Sequence, residues 1–244
     1  MTGTFLNIAT VLLGGTLGLL FGARLPQRLK STVIAGMGLF TAAVGLKMFL
    51  ETQNALFVLG GLLIGALLGE WWKIEDGLQA LGRWLENHLP RGQEPTPEAG
   101  EQPGKTDAQS RFVRGFLTAS LLFCVGPMTI LGSIQDGLTG NYELLAIKSV
   151  LDGFAALAFA STLGVGVLFS VLVILAYQGG ISLLAAQLNS VLNEAMMAEM
   201  TATGGVILVG IAISSLLEIK KIRVGNFLPA LFISPLIVWI VRLF

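Results

Sequence analysis

The sequence predicts an all-α fold, a polytopic membrane helix bundle of about eight transmembrane helices. Three observations predict it. Hydrophobic residues fill 54% of the 244 positions and charged residues only 12%, whereas an ordinary soluble domain is about a quarter charged. The apolar residues gather into repeated runs near the roughly 20 residues that a spanning helix needs. Basic residues collect in alternate gaps between those runs, as in chains whose positive loops stay on the cytoplasmic side.

The runs lie at 4–23, 32–50, 55–72, 112–132, 145–162, 164–188, 202–217 and 225–243. The first lacks a basic leader and a small-residue cleavage pattern before Arg24, so it reads as a retained helix. Only Ser161–Gly166 separates the fifth run from the sixth, which is overlong, and Gly179–Gly180 interrupts the sixth after Tyr177–Gln178. A broken helix, or a helix followed by an interfacial piece, is expected there, and seven or nine spans stay compatible with the pattern. Arg24, Arg28 and Lys30 follow the first run. Lys73, Arg83, Arg91, Lys105, Arg111 and Arg114 lie between the third and fourth, and Lys220, Lys221 and Arg223 between the seventh and eighth. Eight crossings put these twelve of the 15 basic residues on one side, which leaves both termini periplasmic or extracellular.

After the third run the period changes. Ile74, Leu78, Leu81, Trp84 or Leu85, and Leu89 form a helical stripe behind Trp71 and Trp72. The stripe predicts an amphipathic helix on the cytoplasmic surface, with His88 solvated at its end. Residues 91–110 are rich in Pro, Gly, Glu and Gln and hold no apolar residue larger than alanine. Such a stretch buries too little surface to order itself. It reads as a linker between a first membrane part, 1–90, and a second, 111–244. Residues 69–77 and 217–225 share Glu, Lys, Ile and Gly at matching offsets, a pattern compatible with a pseudo-repeat of two parallel halves.

Gly14, Gly18 and Gly22, like Gly61, Gly65 and Gly69, recur every four residues. Each set is a strip without side chains that lets another helix backbone approach. The spacing leaves open whether that helix belongs to the same chain or to a second copy in a homo-oligomer.

Polar chemistry concentrates in the fourth, fifth and sixth runs. Gly126–Pro127 marks a helix break, because proline deprives the carbonyl four residues earlier of its donor. Lys148 and Asp152 share a helix face, with Ser149 beside Lys148, and Asp136 with Gln135 falls at a similar outer level. Gln178 precedes the second break, Gly179–Gly180. Charges inside a bilayer cost at least about 2.5–3.5 kcal/mol each and by default mark function. Plainer readings stand beside that one. Asp136–Gly137 also reads as a turn, Lys148–Asp152 as a structural ion pair, Lys47 as a snorkelling interface residue, and Cys124 as packing.

The single cysteine and single histidine exclude an internal disulfide and paired-histidine metal chemistry. Zero net charge gives no field for nucleic acid. No His-Glu-x-x-His, Gly-x-Ser-x-Gly or nucleotide-binding loop is present. Neither an enzyme nor a cofactor or metal is expected.

Residues Cys124–Gly140, Lys148–Phe154 and Phe159–Phe169, the opening Gly-Thr-Phe-Leu-Asn and the Arg-Leu-Pro-x-Arg-Leu-Lys run at 24–30 resemble the YqgA/YdfK-like bacterial inner-membrane family of unknown function. The resemblance spans nearly the whole chain and implies the bacterial inner membrane, with no assigned substrate or functional residue. The expectation is a gradient-driven secondary transporter or channel for a small ion or polar metabolite. The alternative is a structural or regulatory membrane protein that binds a partner.

Overall fold

The computed structural model of the chain describes residues 1–22, 26–88 and 111–242. The linker expected at 91–110, and with it Arg24 and Leu89, lies outside the described residues. Among these the chain is all-helical, with no strand. In order come α1 (Thr2–Gly22), α2 (Gln27–Phe49), α3 (Ala55–Trp72), α4 (Ile74–His88), α5 (Arg111–Cys124), α6 (Pro127–Thr139) and α7 (Glu143–Leu163). A 3-10 turn, Val165–Phe169, leads into α8 (Ser170–Leu183), followed by the short α9 (Ala185–Val191). The next helix, α10 (Glu194–Ile211), continues as a π-helical turn, Ala212–Leu216, and α11 (Ala230–Val241) follows the 3-10 turn Val224–Phe227.

Among the described residues seven helices are long and apolar enough to cross a membrane, and the spans number eight if the bent pair α5–α6 counts as one. Two expected spans change. The fourth extends to Thr139 and is two helices meeting at 63°, not one kinked helix. The seventh starts at Glu194, not at 202, because Glu194, Glu199, Thr201 and Thr203 lower its hydropathy without ending the helix.

The break at Gly126–Pro127 is compensated locally. Proline at 127 has no N–H for the Phe123 carbonyl, and the Thr129 hydroxyl donates to that carbonyl instead at 3.2 Å. Freed backbone at membrane depth needs such a partner. By contrast, α8 runs unbroken through Gly179–Gly180, with Leu184 N–H donating to the Gly180 carbonyl at 3.0 Å. The break expected there is corrected: glycine costs a helix entropy, but it keeps every backbone hydrogen bond. The chain turns instead at Gly164, whose φ of 86° is open to glycine and strained for other residues.

Each helix of the first part finds its main partner in the second. α1 runs parallel to α7 with the backbones in contact. A Cβ at Gly14, Gly18 or Gly22 would lie 2.0, 2.2 or 2.5 Å from the carbonyl oxygens of Gly153, Leu157 and Ser161. α3 runs antiparallel to α11 in the same manner, where a Cβ at Gly61, Gly65 or Gly69 would meet Ser234 Oγ at 1.9 Å, Ala230 N at 2.5 Å and Asn226 O at 1.9 Å. α2 crosses α10 antiparallel through Gly45 and Gly205. Both glycine strips thus face helices of the same chain.

The two ends of the bundle differ in chemistry. At the basic end Arg111 donates to the Thr162 carbonyl, Arg114 pairs with Glu218, and Arg223 pairs with Glu70 at 2.6 Å. The two similar segments, 69–77 and 217–225, meet here: Gly225 N–H donates to Glu75 Oε2 at 3.0 Å, and Asn226, just past the second segment, accepts from Glu75 N–H at 2.8 Å. The expected surface helix α4 packs on α5 through Leu85 and Gly82, against Phe112, Val113 and Phe116. Leu81 and Trp84 of its stripe stay exposed, because the side-chain-free Gly82 sets the contact line. Thr2 and Val241 both lie at the opposite, far end, as an even number of crossings requires.

Candidate functional site

The first two turns of α1 carry Thr4 and Asn7, polar residues with no exposed surface in a run of apolar neighbours. Because α1 is pressed against α7, Asn7 falls opposite Asp152, and its Nδ2 donates to Asp152 Oδ2 at 3.0 Å. The same Nδ2 donates to Gln178 Oε1 on α8 at 3.1 Å, and Gln178 Nε2 donates onward to Thr4 Oγ1 at 3.2 Å. Lys148 closes the array by an ion pair to Asp152 one turn along α7. One hydrogen-bonded network thereby ties α1, α7 and α8 together in the far half of the bundle.

Asp136 sits one turn nearer the far end. Its Oδ2 accepts Gly3 N–H at 3.1 Å and lies 3.0 Å from the Met1 nitrogen. It belongs to the last turn of α6, which runs on to Thr139 and is capped by Gly140 at a φ of 72°. The turn reading of Asp136–Gly137 is therefore corrected. Gly137 lets α6 touch α8, since a Cβ there would lie 2.1 Å from the Ser182 carbonyl oxygen.

The structure thus joins Lys148 to Asp152 directly, links Gln178 to Asp152 through Asn7, and sets Asp136 one α1 turn away. Ser149 is fully buried, but its hydroxyl donates to the Leu145 carbonyl of its own helix at 2.6 Å. Gln135 is half-buried beside Asp136 and Lys47 is exposed. Cys124 is buried at the end of α5, within electrostatic range of Lys148 and Asp152.

Sequence reading missed three groups. Asn7 and Thr4 carry no charge to flag them, and asking what a membrane-buried aspartate must face would have found Asn7. Glu199 fell outside the predicted span. It is 1% exposed and holds the α2–α3 turn, accepting from the Thr52 hydroxyl at 2.6 Å and from the N–H groups of Gln53 and Asn54 at 2.8 and 2.9 Å.

Among the described residues no group of three His, Cys, Asp or Glu side chains comes together to hold a metal ion. A separate groove of about 280 Å³ at the far end, lined by residues such as Ile130, Met196, Met200 and Trp239, has no charged or hydroxyl side chain to orient a polar solute. The polar network remains the site with chemistry.

No solved structure matches the chain. Two proteins resemble it along their length. "Uncharacterized protein YqgA" of Escherichia coli (strain K12) is 30% identical over 95% of this chain and 94% of its own length. "Uncharacterized membrane protein YdfK" of Bacillus subtilis (strain 168) is 27% identical over 100% of this chain and 98% of its own. The family model described as "Protein of unknown function (DUF554)" matches residues 2–239, and on that match over nearly its whole length the chain belongs to this family of membrane proteins.

Proposed function

We propose that the protein is a secondary transporter or channel for a small ion or polar metabolite, with its site in the far half of the bundle. One observation carries this reading. Buried polar groups of α1, α6, α7 and α8 lie in the far half of the bundle, and they are not fully paired: Asn7 Oδ1, Asp136 Oδ1, Tyr177 Oη and Ser182 Oγ are buried with no hydrogen-bond partner. An orphaned buried polar atom costs about 1–3 kcal/mol. A network kept only for packing would gain by losing these groups, whereas a solute path needs groups with bonding capacity to spare. The chemistry is translocation and not bond making. With the basic end cytoplasmic, the site lies in the half of the bundle nearer the periplasmic or extracellular side of the inner membrane.

The test is reconstitution of the purified chain in liposomes with an ion and metabolite flux screen. Wild type is expected to carry at least one solute that protein-free liposomes and the folded double variant Lys148→Met, Asp152→Leu do not. Flux equal to that of the empty liposomes would reject transport and favour the partner-binding alternative, for which the exposed Trp71, Trp72 and Trp84 offer a surface.

A further inference from the structure

The groove that offers a polar solute nothing suits an apolar one. Residues of α8 and α9 line one wall, and residues of α10 and α11 line the other. Its floor is Ile130 of α6 with Met196 and Met200 of α10, all buried. Among the lining side chains only Trp239 carries an N–H, and methionine sulfur is a weak acceptor. A bound water needs two to four polar partners, so the groove does not hold water. At about 280 Å³ it has room for roughly nine groups of water size, ~30 Å³ each, and a methylene is close to that size.

The open side belongs to α11, one of the spans. Phe232, Leu236 and Trp239, at i, i+4 and i+7, share one face of it, and each is about half exposed. That face looks into lipid. From Phe232 to Trp239 is seven residues, ~10 Å of helix, and Trp239 lies in the last turn, at the depth where tryptophan marks a membrane interface.

Charge supplies the other half of the case. Twelve of the 15 basic residues fall in the segments of the basic end, yet Arg242 stands at the opposite one. It is exposed and ends α11, its N–H donating to the Val238 carbonyl at 3.2 Å. It follows Trp239 by three residues, hence on the same side of the helix. A guanidinium at headgroup level is matched by a phosphate, which it can bind through two N–H groups at once.

We propose that this groove binds one acyl chain of a phospholipid from the leaflet at the far end, with the lipid's phosphate on Arg242. Surrounding lipid is as apolar as the groove, so the preference for the site comes from packing against fixed side chains and from the phosphate contact. Met196 and Met200 adapt to an occupant of irregular shape. The site stands apart from the transport reading.

The experiment is native mass spectrometry with melting temperature on the full chain, purified in detergent, stripped of lipid and titrated with phosphatidylglycerol. Wild type is expected to take up one lipid per chain, saturably, and to melt higher as it does. Leu236→Trp and Phe232→Trp, which fill the groove from its exposed rim, should each lose the bound lipid and the shift. Leu67→Trp, on the exposed face of α3, should keep both. Arg242→Gln should raise the half-saturating concentration about tenfold, and glycerol phosphate, a headgroup without chains, should give no shift. Lipid retained by the two groove-filling variants as well as by Leu67→Trp would overturn the site and leave a general lipid annulus. Unchanged affinity in Arg242→Gln would overturn the phosphate contact, and with it the assignment to a phospholipid. A dimer that disperses in Leu236→Trp would give the groove to a second copy of the chain instead.

Discussion

Lys148 and Asp152 form a buried ion pair on α7. Removing one partner of a buried pair costs on the order of 3–5 kcal/mol, so Asp152→Leu is expected to lower the melting temperature sharply. Lys148→Met with Asp152→Leu should recover most of that loss but not all, because Asn7 Nδ2 still loses one acceptor, worth about 1–3 kcal/mol. Melting of the two variants beside wild type checks it, and a double variant no better than the single would show the pair to be dispensable as a pair. Glu75, outside the spans, gives a test in pH. Burial pushes its carboxyl above the usual 4.5, outweighing the Gly225 N–H, Gln79 and Arg223, which pull it down. The folded state therefore holds this proton more tightly than the unfolded chain. Its contribution to stability is full below the ordinary value and is lost as pH rises through the raised one. Glu75→Gln keeps an acceptor for Gly225 N–H, so it should melt at or above wild type at pH 7 and flatten the fall in stability from acid to neutral pH. A lower melting temperature at pH 7 would refute this. At this scale the charged residues were legible in sequence and their uncharged partners were not. Hydropathy hardly registers one Asn among leucines, and it placed Glu199 outside the membrane run, although both are buried.

Helices show the reverse balance. Spans and glycine strips follow from period and length alone, and the Gly-Pro break from proline's missing donor. What period cannot supply is the partner: a strip tells which face packs, and nothing in it names α7 or α11. The two glycine pairs make the same point. Gly126–Pro127 ends a helix because an N–H is absent, while Gly179–Gly180 keeps every N–H and stays helical. Substitution should sort the glycines by environment. Gly18→Val would drive its Cβ toward the Leu157 carbonyl oxygen 2.2 Å away, backbone against backbone, and should cost at least about 2–3 kcal/mol. Gly36→Ala meets nothing within 4 Å and should be neutral or stabilising by up to about 1 kcal/mol. Thermal melting of the two single variants checks the pair, and equal effects would mean that the α1–α7 contact is not tight.

For the whole molecule the sequence foretold an even number of crossings and which loops share a side, since both depend on counting charges and lengths. It could not foretell that α1, α2 and α3 each turn to a helix more than a hundred residues later. Orientation is testable with single cysteines in a background where Cys124, buried, is replaced by alanine. Glu51→Cys, exposed in the far-end turn, should react with an impermeant maleimide on intact cells, and His88→Cys, exposed at the basic end, should not. The opposite labelling would invert the protein.

The interleaved pairing also bears on how the chain is made. Synthesis delivers α1, α2 and α3 to the bilayer while α7, α10 and α11 are still untranslated. Domains generally mature from the N-terminus as units, but here the early helices have little to pack on. Through that interval α1 holds its bare glycine strip and the Asn7 amide against lipid or against whatever insertion machinery shields them. Entry of α7, complete at Leu163, into the bilayer is the step that ends the exposure of α1.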